Sequence, residues 1–599
     1  MEYTRTYSIR KGEYFADALK RAGKEFIPTN CIINKLLPGL GATHCELIAP
    51  RKSIVIEPNV PVIESKAKKH KNALAVYKGV TVRKIIDFLE DNHDRHYKLL
   101  TTPEGFAKIK EAMQTVGIDM YEECFILFDE CEKLVQDVHY RDSIREPMND
   151  FFRFQNKALI SATPIVPEKD SRFDGFMRVL IQPDYVYRQK LKLITTNNVL
   201  ETLQEVIEAK RGTVCIFCNS IDSIDSFYRL IPELSNACTF CSEDGQYKLW
   251  KGNRRKKSMM ITELERYNFF TSRFYSAVDI LCKNPPHVIF VSDLYGAAQS
   301  VIDPATEAIQ IIGRFRGGVN SVTHIASIRP ELECMSSSEI DHWIQGASTI
   351  FNGWKAQLAR TTNIGERTLL QEAIGENSYL PYLDENGKPD SFLIANFYEK
   401  EQVKRLYTSA DLLHLAYEQT GYFVFSHEER LMPVSDNERM AIQHRLAKKK
   451  RAELIVRKLE EMEKMSRATD KKIQKRYQRM LMNLITSTAD RYIYDCFCRF
   501  GAEFVREADY NENKLRTALN VSSEHTIKKS GQMRTYIQRA FPVDAEISVQ
   551  EAKSMLRQVY KKMGLNTGRG ITTKELEQYA EIENSRNREA RMIKILKHK

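Results

Sequence analysis

The strongest constraint on the fold is a pattern that repeats through the first third of the chain: a short apolar run that ends in polar residues. It occurs in SIVIEPN (53–59), KLLTTPEGF (98–106), CFILFDECE (124–132) and KALISATP (157–164), with stretches of helical length between them. Strands buried on both faces read as continuous apolar runs, and crossovers of this length join strands that run parallel. The pattern predicts a parallel sheet covered by helices on both sides, whose working residues gather at the carboxyl ends of the strands. A second set, LKLITT, GTVCIFCNS, ACTFCSE, YNFFTSRFYSAVDI, HVIFVSD and VTHIASI, runs from about residue 190 to 330 and predicts another such domain. Beyond it the chain turns to long charged stretches. Between Arg445 and Leu484 the residues Ile455, Leu459, Met462, Ile473, Tyr477 and Leu484 recur at helical spacing. The expected fold class is α/β: two tandem parallel-sheet domains, 1–180 and 181–330, followed by a mainly α-helical region, 331–599.

At 599 residues the chain is long enough for several cores. Its 90 Lys and Arg against 79 Asp and Glu leave a formal charge of +11, which favours a polyanionic partner. No run of about 18 apolar residues escapes interruption by charge, so no membrane span is expected. The opening MEYTRTYSIRKGEYFADALK has no apolar stretch of a secretory signal, and the expected location is the cytoplasm. Twelve scattered cysteines suit a reducing compartment. Cys215, Cys218, Cys238 and Cys241 form C-x2-C twice, at a zinc-ribbon spacing. The first pair lies inside an apolar strand, where residues three apart face opposite ways, so buried structural cysteines are the favoured reading over a zinc site.

In IINKLLPGLGATHCEL (32–47) an apolar strand runs into Gly39, Gly41 and Thr43, the order of a phosphate-binding loop, yet Ala42 stands where such a loop carries lysine. FILFDECE delivers Asp129 and Glu130 to a strand tip. Adjacent carboxylates there suit a hydrolase that needs one group for Mg²⁺ and one to activate water, although alone they read equally well as a solvated acidic turn. SATP (161–164) follows the next strand, and QIIGRFRGG (310–318) closes the second domain with two arginines.

In this order the motifs resemble those of superfamily 2 helicases of the DEAD/DEAH-box type, with DECE as the box, and more loosely the helicases of tailed phages such as the crAss-like group. The likeness runs over residues 25–330. It implies tandem RecA-like domains, ATP and Mg²⁺ as cofactors, and ATP-driven movement along or remodelling of nucleic acid. Carried over position by position, it implies that Gly39, Gly41 and Thr43 cradle phosphates, that Thr43 and Asp129 hold Mg²⁺, and that Glu130 is the water-activating base. Ser161 and Thr163 would link hydrolysis to movement, and Asp279 would order the nucleotide cleft. Gln310, Arg314 and Arg316 match the last motif, whose arginines stabilise charge on the transferring phosphoryl group. Pro58, Asn59, Thr102, Asn219, Ser220 and Thr271 match the strand-binding motifs, whose small polar groups bond phosphates without reading sequence.

Ala42 is the main departure, and three readings compete for it. Lys35 swings its flexible stem into the vacated space; Mg²⁺ and the arginines suffice for slow turnover; or the site binds nucleotide without hydrolysing it. Against the first stands a plain solvated lysine at a strand edge. Arg316 follows Arg314 by two residues where three is commoner, so which arginine acts across the domain interface is open. The first hundred residues contain no glutamine, so the adenine-reading Q motif of DEAD-box RNA helicases is absent, which tilts the expected substrate towards DNA. Of two basic segments, KGNRRKKS (251–258) reads as solvated charge before phosphate contact, and RLAKKKRAELIVRKLEEMEK (445–464) as a packed accessory helix with a solvated face before a nucleic-acid clamp. The end, from Gly570, reads as a short helix with Thr573 near its start and a basic tail, part of a candidate small DNA-binding module near 545–599. The expected function is an ATP-dependent helicase or translocase acting on DNA in replication, recombination or repair. Its partners would be single-stranded or partly duplex DNA ahead of RNA, together with replication proteins. The rival is a nucleotide-binding but hydrolysis-deficient DNA-binding scaffold.

Overall fold

The computed structural model describes residues 3–599, except 251–255, 262, 277, 433, 441, 443–446, 466–473, 475, 476, 480, 483, 484, 487, 488, 566, 568, 569 and 587–589. The chain divides into two compact units, Met1–Asp436 and Asn437–Lys599.

Two parallel sheets of eight strands organise the first unit. The first holds β1 (Arg5–Ile9), β2 (Cys31–Asn34), β3 (Ser53–Ile56), β4 (Ala73–Val76), β5 (Lys98–Thr101), β6 (Phe125–Asp129), β7 (Asn156–Ser161) and β8 (Met177–Pro183). Its spatial order is β1-β8-β2-β7-β6-β3-β5-β4, which places the loop after β2 and the acidic tip of β6 on either side of β7. Successive residues of each central strand serve opposite layers, as the pleat requires. Ile54, Ile56, Ile126 and Phe128 enter one core, while Val55, Phe125 and Leu127 enter the other. The covering helices carry apolar stripes: Ile85, Ile86 and Leu89 are the buried residues of Val82–Asp91, and Phe106, Ile109, Ala112 and Met113 those of Phe106–Thr115.

The second sheet holds β9 (Gln189–Thr196), β10 (Val214–Phe217), β11 (Cys238–Phe240), β12 (Lys256–Ser258), β13 (Tyr267–Phe270), β14 (His287–Ser292), β15 (Ser321–Ser327) and β16 (Phe423–Arg430). Its order is β12-β11-β13-β10-β14-β15-β9-β16, again all parallel. The chain thus builds two tandem parallel-sheet α/β lobes, followed by a mainly helical region. β16 comes from beyond the expected boundary at 330: a helical excursion of almost a hundred residues returns to pair with β9 along its whole length. The four cysteines at zinc-ribbon spacing are all buried. Cys215 and Cys238 pack in one layer of this lobe and Cys218 in the opposite one, the two-sided arrangement that a strand imposes.

One helix of that excursion, Ser391–Leu406, joins the lobes. Asp390 caps it by accepting from Phe392 and Leu393 N–H, and Phe392 and Leu393 enter the first lobe's core. Asn396 donates to the Val135 carbonyl at 2.8 Å. Val403 and Tyr407 at the other end enter the second lobe's core, and the Tyr407 hydroxyl bonds the Ile302 carbonyl at 2.7 Å.

The second unit carries helices including Lys448–Met465, Arg491–Glu507, Glu512–Lys528, Gly531–Ala540 and Val549–Lys562. Within the predicted helical segment Ile455, Leu459 and Tyr477 are buried, Met462 is half-buried, and Arg445, Ile473 and Leu484 lie outside the described residues. Residues 251–255 of the basic segment KGNRRKKS also lie outside them. The expected helix and tail after Gly570 are corrected: Thr573–Gln578 is a 3-10 turn, and the basic end forms β18 (Ala580–Arg586) and β19 (Arg591–His598), with β17 (Glu546–Ser548) on β19's other edge. The reason is a period of two, since Ile593 and Ile595 are buried and alternate with partly exposed Met592 and Lys594. Among the described residues no helix is long and apolar enough to cross a membrane.

Candidate active site

The carboxyl ends of β2, β6 and β7 meet at one point, because these strands are neighbours in the sheet. After β2 the chain turns sharply. Lys35 N–H donates to the Ser161 carbonyl at 2.7 Å, and Leu36, at a left-handed φ of 55°, donates its N–H to Asn34 Oδ1 at 2.8 Å. The loop then passes Gly39, whose φ of +83° favours glycine, and enters the helix Ala42–Ile48.

Asp129, at the tip of β6, takes hydrogen bonds from that loop and from the next residue's backbone. Thr43 Oγ1 donates a short hydrogen bond to Oδ2. Lys35 Nζ sits 3.2 Å from Oδ1, which also accepts from Glu130 N–H at 3.0 Å. Lys35 is therefore no solvated strand-edge residue; it is 8% exposed with its ammonium on the acidic box. Burial would raise the Asp129 carboxyl, but the Lys35 and Lys66 ammoniums and the Thr43 hydroxyl outweigh it and hold it down at about 2. The carboxylate stays ionised, as a metal ligand must be.

Glu130 follows at a φ of 53°, a left-handed conformation that a non-glycine residue adopts at a cost and that is common at working sites. Its Oε1 lies 3.7 Å from Arg314 Nη1, and its buried Oε2 has no hydrogen-bond partner among the described residues. Glu132, the last residue of DECE, accepts from Gln310 Nε2 at 3.0 Å, and the same nitrogen lies 3.1 Å from Thr163 Oγ1 of SATP. One amide of the second lobe thus ties the acidic box to the motif after β7. Burial, helped by the Glu130 charge, pushes Glu132 up to about 7.

The second lobe delivers these groups on the helix Glu307–Gly313. Arg314 is buried and braced by the Gln310 carbonyl at 3.1 Å and its side-chain Oε1 at 3.3 Å. Arg316 pairs with Asp279 at 3.0 Å, and its guanidinium lies directly over Gly39: a Cβ built there would fall 1.7 Å from Nη1. A Cβ on Gly313 would meet the rigid Pro38 ring at 2.3 Å, so this glycine is what lets the second lobe close on the loop. Sequence reasoning did not single out Gly313, although it lies inside the matched motif.

The strand-contact candidates sit at the ends of other strands. Pro58 and Asn59 follow β3; the Pro58 carbonyl accepts from Arg141 at 2.8 Å, and the Asn59 side chain makes no capping bond. Thr102, after β5, is buried. In the second lobe Asn219 is half-buried, Ser220 caps the helix Ile221–Leu230 by accepting from Ser223 N–H at 3.0 Å, and Thr271 Oγ1 faces the Phe240 carbonyl at 3.4 Å. Two further residues adjoin the loop: Lys66, which no motif contains, and Glu57 of the segment SIVIEPN. Lys66 Nζ lies 2.9 Å from Thr43 Oγ1 and forms a short ion pair with Glu57. Burial pushes Glu57 up to about 7, against the pull of Lys66.

The donor set fits a magnesium–nucleotide. A hydroxyl and an ionised carboxylate stand side by side on the loop and the acidic box, two ammoniums and two guanidiniums surround them, and one buried oxygen each of Glu130 and Glu132 is left without a partner among the described residues.

No protein-family model and no curated protein matches the chain. Solved structures do, at low similarity. S. cerevisiae Dbp5 bound to RNA and ADP BeF3 is 12% identical, with a TM-score of 0.34 over 53% of this chain and 88% of that one. A DEAD box protein from the hyperthermophile Methanococcus jannaschii is 14% identical, with a TM-score of 0.28 over 52% of this chain and 90% of that one. The ATP-dependent Type ISP restriction-modification enzyme LlaBIII bound to DNA is 11% identical, with a TM-score of 0.31 over 77% of this chain and 41% of that one.

Proposed function

We propose that the protein is an ATP-driven nucleic-acid helicase or translocase whose lobes close on nucleotide. The observation that carries this reading is the cross-lobe cluster in which Gln310 spans Glu132 and Thr163 while Arg314 approaches Glu130. A scaffold that only bound nucleotide would gain nothing from placing a second lobe's cations on the acidic box.

In this reading Thr43 and Asp129 hold Mg²⁺, and the turn at Gly39–Gly41 offers backbone N–H groups to phosphates. When bound, the metal screens phosphate charge and polarises the bond that breaks. Glu130 Oε2 orients and deprotonates the attacking water, for which its free buried oxygen is suited. Arg314 and Arg316 meet the charge that develops on the phosphoryl oxygens. Gln310 reports the state of the box to Thr163, and the helix Ser391–Leu406, rooted in both cores, limits how the lobes part. In this reading the segment at Pro58 and Asn59 meets a nucleic-acid backbone, and the net charge of +11 suits that partner. DNA is favoured over RNA by the missing Q motif, and replication, recombination or repair by that substrate.

The test measures ATP turnover with and without single-stranded DNA for wild type, Glu130→Gln, Lys35→Ala and Ala42→Lys. Stimulated turnover that Glu130→Gln abolishes supports the motor, whereas wild-type turnover at background sinks it in favour of a scaffold. An unchanged rate in Lys35→Ala removes Lys35 as the substitute for the loop lysine.

A further inference from the structure

We infer that Lys66 supplies a phosphate-facing ammonium to the nucleotide site, in place of the one lost at Ala42, with Glu57 as its fixed counter-ion. The inference rests on the nucleotide-site reading above and adds to it a residue that no loop motif contains.

Lys66 belongs to the last turn of the helix Val60–Ala67, a different element from the loop. Its stem crosses to Thr43, the residue immediately after Ala42, and places Nζ 2.9 Å from the hydroxyl. An ammonium has three N–H bonds. One is directed to Glu57 Oε1 and one to Thr43, and no third partner is described, so a donor is left for an anion beside the loop. Lys35 differs in what it touches: its Nζ contacts Asp129 Oδ1, the candidate metal carboxylate, whereas Lys66 contacts the loop hydroxyl of Thr43. Access differs too: the Lys66 side chain is 30% exposed and that of Lys35 10%, so the cation open to an entering ligand is Lys66.

Glu57 explains why Lys66 stays at the site. It is buried, and burial works against its charge, so the pair costs more to break than an exposed ion pair. The helix that carries Lys66 is also the one that Asn59 begins, so this element links a candidate strand-contact residue at one end to the nucleotide loop at the other.

The test uses the full chain and equilibrium binding of fluorescent ATP, ADP and AMP analogues in Mg²⁺, with thermal melting as a control. Wild type must bind ATP; if it does not, the nucleotide-site reading itself falls. Given binding, Lys66→Met is expected to weaken ATP at least about 10-fold and AMP much less, with Lys66→Arg restoring most of the loss. The double variant Glu57→Gln/Lys66→Met leaves no unpaired buried carboxylate, is expected to fold, and should show the same ATP-selective loss. Wild-type ATP affinity in Lys66→Met, or an equal loss for ATP, ADP and AMP, overturns the inference, because a purely structural lysine would not sense the number of phosphates.

Discussion

The two lobes share one architecture and treat their strand ends differently. In the first, the polar tips of β2, β6 and β7 face one another, and Glu130 Oε2 and Glu132 Oε2 have no hydrogen-bond partner among the described residues. In the second, several polar groups near the strand ends pair with one another: Ser220 caps a helix, Ser223 Oγ donates to Asp293 at 2.9 Å, and His324 lies between Ser292 and the Tyr417 hydroxyl, while the Tyr275 and Ser300 hydroxyls are buried without a partner among the described residues. Buried polar groups that satisfy each other stabilise a fold, and those that await a ligand serve a reaction. In the function proposed above, the first lobe is the chemical half. The second contributes by reach, through Gln310, Arg314 and Arg316.

The largest effect expected from this contrast comes from Glu130→Gln, which should lower ATP turnover by about 10³-fold with melting unchanged, since the oxygen concerned has no structural partner. Steady-state turnover beside a melting curve checks it; full activity would break the contrast. Next are the arginines. Arg316→Ala should cost about 10²-fold in turnover with little change in melting, because its side chain is 41% exposed and tied only to Asp279 among the described groups. Arg314→Ala should lower both turnover and melting, since it leaves Gln310 unbraced in a buried site.

Smaller effects separate the strand ends. Ser220→Ala should cost about 1 kcal/mol through the lost helix cap and leave nucleic-acid affinity unchanged. Asn59→Ala should do the reverse, weakening DNA binding severalfold in a fluorescence-anisotropy titration with melting unaltered. The pH response is the smallest and combines buried groups of opposite sign. Burial raises Glu57 and Glu132 to about 7 in the folded lobe, so their contribution is fully present below the unfolded value near 4.5 and is lost as pH rises through about 7. Burial lowers His324 to about 3, so its contribution is present above the unfolded value near 6.5 and is lost as pH falls towards 3. Melting followed from pH 4 to 9 should fall on both sides of a near-neutral maximum. His324→Gln should flatten the acid limb alone.

The central strands of both sheets were legible because their residues are apolar on both faces, and the parallel arrangement followed from the helical lengths between them. The strands at the margins were not. β1, with alternate exposed residues in RTYSI, and β16, half exposed along FVFSHEER, carry no continuous apolar run. At the site, Asp129, Glu130, Thr43, Gln310 and Arg314 were readable as motif residues, and the structure brings them together. Lys35 was marked as a candidate, but its direction depended on the turn at Leu36, whose left-handed backbone leaves no trace in a leucine.

By itself the sequence determined the layered α/β plan, the carboxyl-end placement of the polar tips and the absence of the loop lysine, because burial periodicity and strand polarity are local properties of the chain. Only the tertiary structure decided which cations stand beside the loop. A lysine stem spans several ångströms in any direction, and whether Lys66 meets Thr43 or solvent depends on how the helix Val60–Ala67 packs beside a loop more than twenty residues away.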